Sequence, residues 1–143
     1  MEINMKFFLT LTTVFSLLSS VVSAGVLTGT YKTEPNDEGA YLQVKFGACS
    51  NDKKLTCGTI KASYKKNGSK NKNSKVVGEN IVWDMVDEGN GKYGGGKIWD
   101  PSDPKDDGSK KIYKSKMELK GNILSVSGCI LWICKAQNWN KVN

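Results

Sequence analysis

The chain has 143 residues, with 21 lysines, no arginine, no histidine, four cysteines and a formal net charge of +7. Without histidine there is no Ser-His or Cys-His catalytic pair and no imidazole metal site. Without arginine there is no guanidinium group to make bidentate hydrogen bonds with bases or phosphates. A hydrophobic fraction of 38% over this length fits one globular domain and leaves little room for two.

Residues 1–24 have the three-part pattern of a signal peptide. Lys6 gives a positive start, residues 7–18 form an apolar run, and small residues end the segment at Ala24. The apolar run is too short to span a bilayer comfortably, which favours cleavage after Ala24 over a retained membrane anchor. We expect a mature domain of residues 25–143, without a transmembrane segment, in the periplasm or outside the cell.

Alternating apolar and polar residues predict a series of short strands after the signal. In residues 113–119, for example, Tyr113, Met117 and Leu119 share one face of the predicted strand. Gly121-Asn122 is typical of a tight hairpin turn, and the three glycines 94–96 inside a strand pattern indicate a bulge or bend. The predicted strands cover residues 26–33, 41–46, 55–64, 76–86, 93–99, 113–119, 122–129 and 136–142. About eight such strands indicate an all-β barrel or sandwich.

The four cysteines form an even set in a chain expected to be exported, which indicates a disulfide framework. Three connectivities are possible. The spacing favours Cys49 with Cys57 and Cys129 with Cys134, because each pair brackets a short segment that fits a turn between strands. A zinc site is the alternative, but the spacings match no zinc motif and histidine is absent. We therefore expect structural disulfides and no metal.

Two loops are distinguished by their charge. Residues 65–75 hold five lysines and no acid, and a functional interpretation is a contact site for phosphate, anionic lipid or acidic glycan. The alternative is the general lysine and asparagine enrichment of this chain. Residues 100–108 hold four aspartates, but they lack the ligand spacing of a calcium loop, and two prolines and a glycine favour a turn. The possible anion-contact residues are Lys65, Lys66, Lys70, Lys72 and Lys75.

Several short sequence blocks follow one another along the chain. They are Gly29-Thr30-Tyr31-Lys32-Thr33, Cys57-Gly58-Thr59-Ile60, Gly95-Gly96-Lys97-Ile98-Trp99-Asp100-Pro101, Ser127-Gly128-Cys129 and Cys134-Lys135-Ala136-Gln137-Asn138-Trp139-Asn140-Lys141. This order resembles the family of small exported bacterial proteins catalogued as domain of unknown function 2147, over essentially the whole mature chain. The resemblance implies a lipocalin-like, calycin-type antiparallel up-and-down barrel with no established activity. It also supports the local cysteine pairing.

The resemblance also implies how the barrel is closed. The family often has Trp at the position of Tyr31 and Arg at the position of Lys141. In lipocalin-like barrels a cation from the last strand covers an aromatic ring of the first strand, so Tyr31 and Lys141 are expected to make this contact, more weakly than Trp with Arg. Trp139 is expected to be a second aromatic plug. These three residues are then structural.

Two binding functions are compatible with such a barrel. The first is non-catalytic binding of a small apolar or amphipathic ligand in the interior, although the same residues are needed to fill a closed core. The possible ligand-lining residues are Leu42, Val44, Phe46, Ile60, Ile81, Trp83, Ile98, Tyr113, Met117, Leu124 and Val126. The alternative is a cell-envelope interaction protein that contacts anionic lipid or glycan through its lysine-rich loops.

A third possibility is a carboxylate-dependent hydrolase. Glycoside hydrolysis needs two carboxylates, and Asp84, Asp87, Glu88, Glu79 and Glu118 show no spacing that identifies a pair. Acyl transfer by Ser or Cys lacks a base, and there is no phosphate-binding loop. We therefore expect no enzymatic activity and no cofactor. Nucleic acid is not an expected partner, because the chain is expected to be exported and no aromatic-basic strand surface is evident.

Overall fold

The computed structural model describes residues 25–143, which form eight antiparallel strands and no helix. Each strand pairs with the next one, and the last pairs with the first, so the sheet closes into an up-and-down barrel. This confirms the all-β class and decides between a barrel and a sandwich in favour of the barrel. The strands are β1 (Gly29–Lys32), β2 (Tyr41–Ala48), β3 (Thr56–Tyr64), β4 (Asn80–Gly89), β5 (Lys92–Trp99), β6 (Ile112–Lys120), β7 (Ile123–Ile130) and β8 (Ile133–Lys141).

The predicted signal peptide, residues 1–24, lies outside the described residues. Within residues 25–143, no helix is long and apolar enough to cross a membrane.

Side chains that alternate along the strands meet in one interior cluster. Val44, Val82 and Leu124 have no exposed surface at all. A chain of aromatic rings crosses the same interior, since Tyr31 meets Phe46 edge-on at 5.6 Å between ring centroids and Phe46 lies 6.2 Å from Trp139. Burial of each such side chain stabilises the fold by roughly 1.5–3 kcal/mol, so this cluster is the main source of the barrel's stability.

The glycines at 94–96 produce the predicted bulge. The pairing of β5 with β6 shifts register between Tyr93 and Gly96, and Gly95 has a φ of 71°. A side chain on Gly96 would overlap the Met85 sulfur and the Trp83 carbonyl of the neighbouring strand. Glycine is therefore required there by a close approach of two strands. The Gly121-Asn122 turn is likewise confirmed, between β6 and β7.

Because successive strands run in opposite directions, the connections alternate between the two ends of the barrel. One end, called here the loop end, carries the long connections of residues 65–79 and 100–111 and the β7–β8 turn. The other, called here the terminal end, carries the first described residues, 25–28, and the C-terminus. Cys49–Cys57 lies at the terminal end and Cys129–Cys134 at the loop end.

Strand boundaries differ from the prediction at β4, which covers Asn80–Gly89 rather than residues 76–86, at β1, which covers only Gly29–Lys32, and at β8. This strand begins at Ile133 rather than Ala136, and Ile130 pairs directly with Ile133. The β7–β8 ladder therefore continues past both cysteines to a turn made of Leu131 and Trp132.

Candidate functional site

Ten of the eleven residues proposed to line a ligand site belong to the core cluster or pack against it. Leu42, Trp83 and Ile98 are half-buried against the core cluster, and Tyr113 is half-buried near the loop end, with its hydroxyl 3.4 Å from Asp103. These groups contact one another as a packed core does. Contact with a ligand stays a prediction. The other seven are core residues, namely Val44, Phe46, Ile60, Ile81, Met117, Leu124 and Val126.

The three residues expected to close the barrel lie together at its terminal end. Tyr31 of β1 is the register partner of Lys141 of β8, and both the Tyr31 ring and the Lys141 stem pass close to Gly29. Trp139 is buried, and its indole N–H donates to the Gln137 side chain at 3.0 Å. Within the described chain, the cation–π contacts are made by other lysines, which lie over Tyr41 and Trp99.

The first described residues also cover the terminal end. The Gly25 backbone N–H donates to the Asp87 carboxylate at 2.5 Å, and the Leu27 N–H donates to the Thr56 hydroxyl at 3.0 Å. Leu27 itself belongs to the core. Burial, and then the nearby Asp87 charge and Tyr31, raise the pKa of Tyr93 above its ordinary value. The phenol therefore keeps its proton to a higher pH than an exposed tyrosine does.

Of the carboxylates considered for hydrolysis, Asp84, Asp87 and Glu88 lie on β4, Glu79 directly precedes that strand, and Glu118 lies on β6. Glu79 and Glu118 form exposed ion pairs with lysines at opposite ends of the barrel. Asp87 is bound to the first described residue, and the Glu88 side chain lies over Gly94. Glu79, Glu118 and Asp87 therefore have separate local partners.

Both predicted disulfides are present. Cys49 and Cys57 are buried, while Cys134 is exposed. The Asp84 carboxylate lies within 4.8 Å of the sulfurs of the buried bridge, at a strand position where the backbone has a φ of 57°. Because the two sulfurs are bonded to each other, they offer no thiolates to a metal ion.

The five lysines of the β3–β4 connection, at positions 65, 66, 70, 72 and 75, are all exposed. Within residues 25–143 the ion pairs involve Lys110, Lys111 and Lys120, so none of the five has a carboxylate partner in the described chain. The loop begins with a turn in which the Gly68 N–H donates to the Lys65 carbonyl. The turn holds several uncompensated positive charges at the loop end.

The aspartate-rich connection forms turns, as predicted. The Asp100 and Asp107 carboxylates accept hydrogen bonds from serines two residues further on, and the Ser109 hydroxyl lowers the pKa of Asp107. Asp103 accepts a hydrogen bond from Lys111 at 3.0 Å, which raises the pKa of that lysine.

A second basic surface lies on the outer wall of the barrel. Lys97 of β5 is directly opposite Lys114 of β6, and Lys114 is in turn opposite Cys129 of β7. Lys116 lies two residues further along β6 on the same outer face. All three lysines are exposed and have no ion-pair partner among the described residues. The name basic row is used below for these three residues.

The β7–β8 turn beside the basic row is apolar and exposed, a feature that sequence reasoning missed. Ile130, Leu131, Trp132 and Ile133 are 62%, 78%, 84% and 69% exposed. The signal available in the sequence was four apolar residues between two cysteines, at a place where glycine, asparagine or aspartate is usual. Residues 130–133 are called the apolar tip below.

A family model described as an uncharacterized protein conserved in bacteria, DUF2147, matches residues 29–141. The chain belongs to this family. The match covers all eight strands and confirms the resemblance noted from the short blocks. Neither a search of curated proteins nor a search of solved structures gives a match.

Residues of the sequence blocks that identified this DUF2147 chain contribute to the packing, hydrogen bonding and disulfides of the barrel. Gly96 permits the close approach to β4, and the Trp99 indole donates to the Asn80 carbonyl at 2.7 Å. Cys129, Cys134 and Trp139 form the second disulfide and part of the core. The apolar tip lies between these blocks, and because its residues are exposed, packing within the barrel does not account for its composition.

Proposed function

We propose that this protein is a non-catalytic binding protein of the cell envelope that contacts an anionic surface through its lysines. The observation that supports the proposal most is the basic row. Like charges directly opposite each other in a sheet lower stability, and neither Lys97 nor Lys114 has an ion-pair partner among the described residues to offset this. A bound anionic surface would relieve the repulsion.

The lysine-rich β3–β4 connection supports the same proposal. It lies at the loop end, and its five exposed lysines have no ion-pair partner within residues 25–143. Lysines near an anionic surface each contribute about 1 kcal/mol of attraction. Several of them together would give measurable binding that weakens as salt screens the charges.

The disulfides support the proposed location. Two disulfides are typical of an oxidising, non-cytoplasmic compartment. Together with the expected cleavage after Ala24, they support the periplasm or the cell exterior. Anionic phospholipid head groups and acidic glycans are the anionic surfaces found there.

The experiment measures binding to vesicles with and without phosphatidylglycerol, and to an immobilised acidic glycan, at 50 mM and 300 mM salt. Lys97→Gln/Lys114→Gln is expected to weaken binding to the anionic probe about tenfold or more at low salt. The matched control is Lys45→Gln/Lys61→Gln, which removes two exposed lysines from the outer faces of β2 and β3. Salt-independent binding, or equal losses in both variants, contradicts the proposal.

A small apolar ligand inside the barrel is the second candidate. The observation that favours it is that ten of the eleven proposed lining residues belong to the core cluster or pack against it. It requires Val44, Leu124 and their neighbours to separate from one another, since they are already fully buried. Native mass spectrometry of the purified protein, with thermal-shift screening of fatty acids, retinoids and isoprenoids, tests it. An interior that retains and gains no ligand argues against this candidate.

A further inference from the structure

The apolar tip exposes a contiguous set of apolar side chains, which is unfavourable for a surface turn in water. Its four side chains are between 62% and 84% exposed. Scattered apolar residues are normal on a protein surface, but a contiguous apolar patch marks an interaction site. The patch includes Trp132, which is the most exposed of its residues.

The turn also has an unfavourable backbone. Leu131 has a φ of 55°, in the left-handed region that Gly or Asn usually occupies. An apolar side chain at that position is both strained and exposed. Backbone strain of this kind persists where the surrounding structure imposes it, and it is frequent at functional positions.

The surrounding structure that imposes the turn is the second disulfide. Cys129 and Cys134 are register partners immediately below the Ile130–Ile133 pair. Residues 130–136 are all exposed, so the hairpin extends beyond the wall of the barrel. β1 pairs with β8 only at Lys141 and Asn140, which leaves the outer part of the hairpin without a strand beside it. The bridge therefore holds an apolar turn in a fixed position outside the barrel.

The charges around the tip favour one occupant. Lys114, a member of the basic row, is the register partner of Cys129, and Lys135 directly follows Cys134. Tryptophan at the polar boundary of a bilayer, aliphatic residues below it and lysines beside them are typical of attachment to an anionic membrane surface. Two copies of this chain joined tip to tip would bring their lysines together, which disfavours a self-interface.

We propose that residues 130–133 insert into the interfacial region of an anionic lipid bilayer while the basic row contacts the lipid phosphates. This inference rests on the proposed function, because it takes the anionic surface to be a bilayer. It adds an apolar contribution that salt does not screen. Membrane binding then has two separable parts, one from lysines and one from the tip.

The experiment measures partition of the full mature chain onto vesicles of phosphatidylcholine with 30% phosphatidylglycerol by co-sedimentation. The tip variant is Ile130→Ser/Trp132→Ser. Its matched control is Val86→Ser/Ile123→Ser, which makes two exposed apolar residues polar elsewhere on the barrel, each 46% exposed. The tip variant is expected to bind at least tenfold more weakly, since two large apolar side chains lose their burial. The control is expected to bind as the parent does.

Insertion is measured separately by quenching of tryptophan fluorescence with brominated lipids. Trp83, Trp99 and Trp139 are half-buried or buried in the barrel, so quenching is expected to come from Trp132 and to be lost in Trp132→Phe. This variant keeps an apolar side chain at the turn and is expected to retain binding. Circular dichroism in the near ultraviolet checks that each variant is folded.

The outcomes separate the two proposals. If the tip variant binds anionic vesicles as tightly as the parent while Lys97→Gln/Lys114→Gln loses binding, the anionic surface stands and tip insertion is overturned. Binding to the acidic glycan without binding to vesicles also overturns tip insertion and leaves the proposed function. Absence of binding to every anionic probe overturns both. If the tip variant loses only self-association in sedimentation velocity, the occupant is a second copy and the bilayer is rejected.

Discussion

The two disulfides of this barrel close loops of similar length and have opposite surroundings. Cys49–Cys57 spans eight positions at the terminal end, where Cys49 is 1% and Cys57 7% exposed. Cys129–Cys134 spans five positions at the loop end and supports a turn whose side chains are mostly exposed. The first bridge is part of the interior, and the second holds an apolar surface outside it.

The two disulfides therefore have different structural roles in the same sheet, one in the core and one in an exposed turn. A disulfide stabilises mainly by restricting the unfolded chain, and loops of these lengths predict about 2 kcal/mol for either bridge. Their surroundings then separate them. Removal of the buried bridge also disturbs packed side chains, whereas removal of the exposed bridge releases a strained turn.

The largest loss of stability is expected on β7, which has residues both in the interior and in the exposed turn. On β7, Leu124 is fully buried and Ile130 is 62% exposed. Leu124→Ala is expected to lower the free energy of unfolding by about 3.5 kcal/mol, because the core loses contacts and gains a cavity. Ile130→Ala is expected to change it by less than about 0.5 kcal/mol. Urea unfolding monitored by fluorescence measures both, and comparable losses would mean that the tip is packed against something.

The next largest effect is the loss of stability when either disulfide is removed. Cys49→Ala/Cys57→Ala is expected to cost about 3 kcal/mol, because loss of loop restriction is accompanied by loss of two buried sulfur atoms. Cys129→Ala/Cys134→Ala is expected to cost about 2 kcal/mol or less, since strain at Leu131 is relieved at the same time. Thermal and urea unfolding of the two double variants measure the difference. An equal or reversed order contradicts the assignment of the two roles.

Alternation was sufficient to predict the strands, because it depends only on neighbouring residues, and the family resemblance implied that they form a barrel. The strand containing Leu42, Val44 and Phe46 and the bulge at Gly95 lie where local patterns placed them. Both disulfides were also predicted, because each joins residues close in the chain. Family membership was visible from short blocks for the same reason, since each block lies within one strand or turn.

The features missed are those that depend on register or contradict local preference. Lys97 and Lys114 become neighbours only through the pairing of β5 with β6, whose register shifts at the glycine bulge. The contact of Gly25 with Asp87 joins residues 62 positions apart. The tip was missed because turns usually contain polar residues and glycine, whereas Leu131 and Trp132 are neither.

A smaller effect of opposite sign is expected at the turn. Leu131→Asn places a residue that tolerates the left-handed region where Leu131 has a φ of 55°. The substitution is expected to stabilise the fold by about 1 kcal/mol and to weaken vesicle binding severalfold, because an apolar side chain of the tip is lost. Urea unfolding and co-sedimentation measure the two effects on the same sample. A variant that loses stability, or gains it without loss of binding, would show that the strained leucine has another role.

The smallest effect concerns the terminal end, where Asp87 is the register partner of the buried Tyr93. Burial and the Asp87 charge raise the pKa of Tyr93, so the folded barrel keeps this proton at a pH where the unfolded chain has lost it. Stability from this source is complete below the ordinary tyrosine pKa of about 10 and falls as the pH rises through and above that value.

Asp87→Asn is expected to shift the titration of Tyr93 to lower pH, because the negative charge is removed while burial remains. Ultraviolet titration of the phenolate measures this shift, and urea unfolding at pH 9 and 11 measures the accompanying stability. The control is Asp107→Asn, which removes an exposed carboxylate from the loop end. The asparagine oxygen can still accept a hydrogen bond from the Gly25 nitrogen, and a shift confined to Asp87→Asn assigns the effect to the Asp87 charge. Equal shifts in both variants would assign the effect to net charge, and the terminal end would then have no local electrostatic role.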